Sequence, residues 1–420
     1  MRLRSSIVTA IAVAGLVVSP LAVADPLDPD PHFGKAGLIT LDRSNYYVLP
    51  GNLTTHGKRI IAAAGTSGAG SGERVLHVYL RGQRGRPIGG RQGWGYLESL
   101  YGEPMIADVA TSDHRIFVIG SVKSGWNVDK QKETPGYGFV AAFTASLRGR
   151  PQWGTEHFVY PDNGRGLERL REIDFGSVTG GAVDSEGRVL VTGRLDGQTA
   201  VLRLTRDGHI DQSYGTNGLA TVNLGSGSSP RDIAVHGTTA LVVGNATING
   251  HQQGFATQIT GYGYRDRTFS SDGTRLVGKP GTHVTAVDKA DAGRWLVASQ
   301  RRHRAGVTKL DTTGDLVTGF GRGGRATVRC TRPEDRNVID GLAIDRRHGV
   351  LDQITLALSC KRDGNLRRLA AIWRPGGHPI SSLKPDGVGR LPWHAPTTDI
   401  TYGWRGHLTG LIPNRIVRLR

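Results

Sequence analysis

Gly187 to Ser226, GRVLVTGRLDGQTAVLRLTRDGHIDQSYGTNGLATVNLGS, reads as three consecutive strands. Val189, Leu190 and Val191, then Val201, Leu202 and Leu204, then Leu219, Thr221 and Val222 are short β-favouring runs separated by Gly, Asp and Asn. A fourth run precedes them at about Val178 to Val183, closed by the tight turn Asp184-Ser185-Glu186-Gly187. Together they make one four-stranded antiparallel unit.

The unit recurs along the chain. Its second-strand signal appears as GKRIIAAAG from Gly57, DHRIFVIGS from Asp113, EGRVLVTGR from Glu186, GTTALVVGN from Gly237 and AGRWLVASQ from Ala292. Weaker copies are HGVLDQITLALS from His348 and WRGHLTGL from Trp404. The spacing, roughly 50 to 73 residues, is that of a propeller blade or slightly more. An aromatic-Gly pair alternates with it at Phe33-Gly34, Trp94-Gly95, Trp153-Gly154, Tyr214-Gly215 and Phe320-Gly321, with Phe269 and Trp393 as degenerate members.

The phase at the two ends closes the array. LDPDPHFGKAGLITL from Leu27 matches the end of a unit, HIDQSYGTNGLATVNL, and RGHLTGLIPNRIVRLR matches its middle. The last unit lacks an outer strand and the first segment supplies one, which removes an open edge. The expected fold is all-β: a seven-bladed β-propeller of four-stranded antiparallel blades, with the N-terminal segment completing the C-terminal blade.

At these residues the chain resembles the delta-60 repeat family, whose repeats pair L-D-x-x-F-G-x-x-G with D-G-[KR]-hydrophobic-G. Leu27 to Gly37, Ile210 to Gly218 and Leu316 to Gly324 carry the first half, and Glu186 to Gly193 the second; residues 265 to 273 and 390 to 393 depart from it. The resemblance implies a propeller and no particular reaction.

Met1 to Ala24 has a basic head (Arg2, Arg4), an apolar core from Ile7 to Val18 and an Ala22-Val23-Ala24 end. That is the pattern of a secretory signal, too short for a membrane span. No lipobox cysteine is present, so an exported, periplasmic or secreted, monomeric protein is expected from about Asp25, with 25–420 as a single propeller domain. The only long stretch with a helical period is Gly166 to Ile173. Cys330 follows an outer strand and Cys360 ends a second strand, positions that share one face of neighbouring blades; export makes a disulfide feasible, against two separate thiols.

The chain carries a formal net charge of +17. Such a surface attracts anionic envelope polymers, acidic polysaccharide or an acidic protein, or is simply solvated. Aromatics do not interleave with the basic runs, which argues against sequence-specific nucleic-acid binding. Two long connections, Lys123 to Gly138 and Asp162 to Ser177, are expected as loops on the face reached by the second strands, here called the top. They carry Lys123, Trp126, Lys130, Lys132, Arg165, Arg169 and Arg171, a candidate anion- or glycan-binding rim or else tolerated insertions. Arg301 to Arg304 form a further top-loop basic patch.

Aligning the first strands places Asn52, Asp108, Asp232 and Asp399 at one equivalent position, with Gly180, Val284 and Gly341 completing the ring around the axis. Three carboxylates and an amide there suit Ca²⁺ or Mg²⁺, or accept backbone amides from adjacent turns. The chain is read as a binding or scaffolding module engaging such an anionic partner through its top-face loops; the metal reading underlies the alternative, a divalent-metal-dependent lyase or hydrolase at the channel mouth. No HxH, HExxH or GxSxG sequence supports a catalytic centre, and the glycine-rich Gly65 to Gly72 opens no helix, so it is no phosphate cradle.

Overall fold

A computed structural model of the chain describes residues 27–36, 38–41, 47–48, 51–67, 74–88, 94–97, 103–112, 114–123, 125–127, 132–134, 136–147, 153–154, 156–158, 165–170, 177–224, 227–330, 336–347, 350–362, 365–380, 383, 388–392, 399–402, 407–412 and 415–419. The expected signal segment lies outside them.

The described residues form seven antiparallel blades in a ring, with no helix. Blade one is Asn52–His56, extended by Tyr47–Val48, then Arg59–Ser67, Arg74–Arg81 and Trp94–Leu97. Blade two is Pro104–Thr111, Arg115–Val122, Tyr137–Thr144 and Arg165–Leu170, with a fifth strand, Glu156–Phe158, outside it. Blade three, the unit read first, is Ser177–Val183, Val189–Leu195, Gln198–Leu204 and Leu219–Val222. Blade four is Ser229–His236, Thr239–Ile248, His251–Ile259 and Thr274–Val277; blade five is His283–Lys289, Trp295–Arg301, Arg304–Leu310 and Arg325–Arg329. Blade six is Arg336–Arg347, Val350–Arg362, Asn365–Trp373 and Val388–Arg390. Blade seven is Asp399–Tyr402, Leu408–Ile412, Arg415–Arg418 and, from the other end of the chain, Leu38–Thr40. Leu38 pairs with Val417, Ile39 with Ile416 and Thr40 with Arg415.

Strands between blades are covered on both faces, which is why their apolar runs are continuous rather than alternating. Val189, Leu190 and Val191 are all buried, and Leu190 packs with Ile233 and Val242 of blade four while Val189 and Val191 face blade two. Hairpins follow turn chemistry: Asp196-Gly197 and Asn249-Gly250 both hold positive φ, as a two-residue turn of the primed kind requires.

The aromatic-Gly pairs are fasteners between blades. The rings of Phe33, Trp153, Tyr214, Phe269 and Phe320 are fully buried. The amide that follows each ring donates to a turn carbonyl of the next blade: Gly34 to Arg84, Gly154 to Asp207, Gly215 to Tyr262, Ser270 to Thr313 and Gly321 to Gly376, at 2.7–3.1 Å. Degenerate residues 265 to 273 thus keep the part of the motif that matters. Within a blade, Arg203 of the third strand lies 4.3 Å from the Tyr214 ring and 2.8 Å from Asp211. Arg418, Asp30 and Phe33 repeat this arrangement where the two chain ends meet.

Two expectations are corrected. Arg165–Leu170 is the fourth strand of blade two, neither a top loop nor part of a helix from Gly166 to Ile173; pairing of Leu167 with Ala141 and Arg169 with Phe139 settles it. Within the long connection after Lys123, Gly125–Asn127 pairs with Lys132–Thr134 as a two-stranded antiparallel sheet. Cys330 and Cys360 form a disulfide with Cα atoms 5.8 Å apart, joining the end of blade five to the second strand of blade six. Among the described residues, no helix is long and apolar enough to cross a membrane.

Candidate functional site

The axial position comes from the first strands. In five blades the strand is interrupted by a register shift, between Ile106 and Asp108, Val178 and Gly180, Pro230 and Asp232, Val284 and Ala286, and Ile339 and Gly341. The extra residue turns the next side chain sideways toward the neighbouring blade. It also makes Ala286 the ring member in blade five, not Val284. A cavity of about 470 Å³ along the axis is lined by the first strands of all seven blades.

The carboxylates there join blade to blade. Asp108 accepts from its own neighbour Val109 N at 2.7 Å and from Gly181 N of blade three at 3.3 Å. Asp232 accepts from Ile233 N at 2.7 Å and Val287 N of blade five at 2.8 Å. Asp399 accepts from Ile400 N and from Leu53 N of blade one, both at 2.8 Å. Asn52 takes the amide version: Oδ1 accepts from Leu53 N at 2.8 Å, while Nδ2 donates to Ala107 O of blade two at 2.9 Å. The glycines of the ring make room for these clasps, since a Cβ on Gly180 would lie 3.2 Å from Asp232 Oδ1.

Burial pushes all three carboxyls up although the amide bonds oppose it, with nearby carboxylates adding to the rise, Asp288 at Asp108, Asp108 and Asp288 at Asp232, and Asp108 at Asp399: Asp108 goes to about 6, Asp399 to about 8, and Asp232 well above the usual carboxylate range. Every oxygen of the three is engaged by a backbone amide. Among the described residues no group of three or more His, Cys, Asp or Glu is arranged to hold a metal ion.

The top rim of blade two comes together in part. Lys123 is exposed just before the two-stranded sheet, 3.5 Å from Glu103. Trp126 and Lys132 lie on the two strands of that sheet. Arg169 lies near the top of blade two, opposite Phe139 and one residue before Leu170, which pairs with Gly138. Arg165 is four residues down the strand, about 13 Å away at strand rise, toward the opposite face. Lys130 and Arg171 lie outside the described residues.

Blade five carries a site that its sequence patch only hinted at. A cleft of about 390 Å³ opens at the top, between the connection Gly278 to Thr282 and the face of blade five turned toward blade four. Its charged lining is Lys279, Arg301, Arg302, Arg304 and Arg325, together with His303, and it contains no carboxylate. Pairing explains the convergence: Arg301 is opposite Arg304, and Arg325 is opposite Thr308, so these side chains leave one face of the sheet. The opposite face, with Leu296, Ala298, Ala305 and Val307, packs on blade six.

Neither a protein-family model nor a curated protein sequence matches the chain. Among solved structures it is similar to the β-propeller domain of the Trilobed protease from Pyrococcus furiosus, with 8% identity, TM-score 0.45, and 88% of this chain and 89% of that one covered. It is also similar to extracellular domains 1-2 of Drosophila Semaphorin 1b, with 8% identity, TM-score 0.48, and 93% and 87% covered. At such values the likeness is one of architecture and transfers neither site nor activity.

Proposed function

We propose that the chain from about Asp25 is an exported, single-domain propeller of the delta-60 repeat kind that binds or scaffolds an anionic envelope polymer, polysaccharide or protein through its top face. The observation that carries this reading is the blade-five cleft, where five Lys and Arg side chains converge with no carboxylate among them. Cations so placed repel one another, and an anion relieves that repulsion. In this reading the blade-two positions Lys123, Trp126, Lys132 and Arg169 belong to the same top-face surface. The disulfide and the secretion-like leader agree with a compartment where such polymers occur. The axial carboxylates serve as clasps in this reading, so the lyase or hydrolase alternative gains nothing from them.

The test is retention of the purified protein on immobilised heparin and on lipopolysaccharide as salt is raised. Retention at low salt that collapses steeply between about 0.1 and 0.5 M is expected, because exposed charges are screened over about 10 Å at the lower value. A protein that passes both matrices unretained at low salt overturns the reading.

A further inference from the structure

We infer that the blade-five cleft is a dedicated pocket for a sugar-sized sulfate or phosphate monoester, braced by the Cys330–Cys360 disulfide. This rests on the anion-binding reading above and specifies its ligand. The size argument comes first. A cavity of about 390 Å³ lies near the lower end of the range for small-ligand sites, a volume suited to one residue of a polymer rather than to a length of it. The chemistry of the lining comes second. Arg and Lys surround it, and Ser299, Thr308 and Thr327 add hydroxyls, a set suited to a tetrahedral oxyanion with several acceptor oxygens. Among the described residues no ion pair engages Lys279, Arg301, Arg302, Arg304 or Arg325.

Two features show construction rather than accident. Blades three and four turn between their second and third strands with Asp196-Gly197 and Asn249-Gly250, residues that tolerate left-handed backbone. Blade five turns with Arg302-His303 instead, and Arg302 is held at φ +54°. A long cationic side chain in that conformation is a local cost, of the kind that gathers where residues are placed for a ligand. The tip is also anchored. His303 O accepts from Cys330 N at 3.1 Å, and Cys330 is bonded to Cys360 of the next blade. Arg301 Nε donates to Pro280 O at 2.9 Å, tying the same hairpin to the connection from blade four. The hairpin is therefore held from both sides, and the bracing limits how far mutually repelling guanidinium groups spread before a ligand arrives.

The experiment is calorimetric titration of the mature protein with glucosamine 6-sulfate, glucosamine 6-phosphate and glucuronate, beside heparin retention. The two esters should bind at least about tenfold more tightly than the carboxylate, and whichever ester is tighter identifies the source. Substituting R301Q, R304Q and R325Q together should weaken the esters at least about tenfold. R415Q should leave ester affinity within about twofold, since Arg415 is exposed on the third strand of blade seven, two blades from the cleft. The double variant C330A/C360A, confirmed folded by circular dichroism, should lose about threefold or more as the brace is released. Ester affinity unchanged in the triple variant overturns the pocket, as does equal affinity for glucuronate. Unchanged affinity in the folded double variant overturns the brace. If no monosaccharide binds while heparin is still retained, the pocket falls and the polymer reading stands; if heparin is not retained either, both fall.

Discussion

The smallest unit with an explanatory role is the positive-φ glycine in the turn between third and fourth strands, present in five blades, while blade two has Leu147 there. Gly263 has φ +84°, and a Cβ there would lie 2.3 Å from Gly215 N, the amide that fastens blade three to blade four. Gly208 and Gly377 stand in the same relation to Gly154 and Gly321. Gly237 has φ +63° with nothing within 4 Å of its missing Cβ. Gly237→Ala therefore carries only the left-handed backbone cost, about 1 kcal/mol, whereas Gly263→Ala adds a clash with backbone and should cost about 3 kcal/mol or more. Denaturant titration of the pair measures the difference. An equal effect would show that the fastener contributes little. This residue-level logic was readable in part: D-G and aromatic-G were visible as punctuation, but that one blade's glycine lies under the previous blade's ring is a contact between units. No pattern inside one repeat reports it.

At the level of strands, legibility followed β-propensity. VLVTG and AVLRL announce themselves, whereas Arg165–Leu170, RGLERL, has Gly, Glu and two Arg among six residues and fits a helical period equally well. Only its partner Phe139 to Ala142 makes it a strand, and the misreading misplaced Arg165 on the top rim. The closing strand was legible because its motif is intact. Its decisive pair is Asp30 with Arg418, both buried: burial alone would raise the Asp30 carboxyl, but the His32 amide and the Arg418 guanidinium hold it below the usual range. Removing the cation strands a buried carboxylate beside Phe33, so Arg418→Met should destabilise by about 3 to 5 kcal/mol, while Arg415→Met, exposed on the same strand, should stay within about 0.5 kcal/mol. Thermal unfolding of the two variants checks this, and near-equal midpoints would mean that the pair does not secure the closure.

Seven blades converge on one axis, and there the molecule acquires a property that no blade has alone. Asp108, Asp232 and Asp399 are all buried there, and neighbouring carboxylates add to the effect of burial: Asp288 acts on Asp108, Asp108 and Asp288 on Asp232, and Asp108 on Asp399. Their alignment was visible in the sequence; their partners were not, because neither the register shift before Asp108 and Asp232 nor the strand start at Asp399 has a residue signature. The sign of the consequence follows from linkage. With folded values raised to about 6 and about 8 for Asp108 and Asp399, against about 4 in the unfolded chain, the folded state holds more protons between those limits. The axial contribution to stability is thus fully present below about pH 4 and is lost as pH rises toward 8. Asp30, Asp211 and Asp266, whose folded values are lowered, contribute with the opposite sign and are lost only as pH falls below about 4. Asp399→Asn removes one of the strongly raised groups; its amide oxygen keeps one of the two backbone bonds, as Asn52 does. The variant should therefore be less stable than the parent at pH 5 and close that gap by pH 8.5, measured as the difference in thermal midpoint across the series. A gap that stays constant with pH would mean that Asp399 is ionised throughout and that the axis carries a standing negative charge.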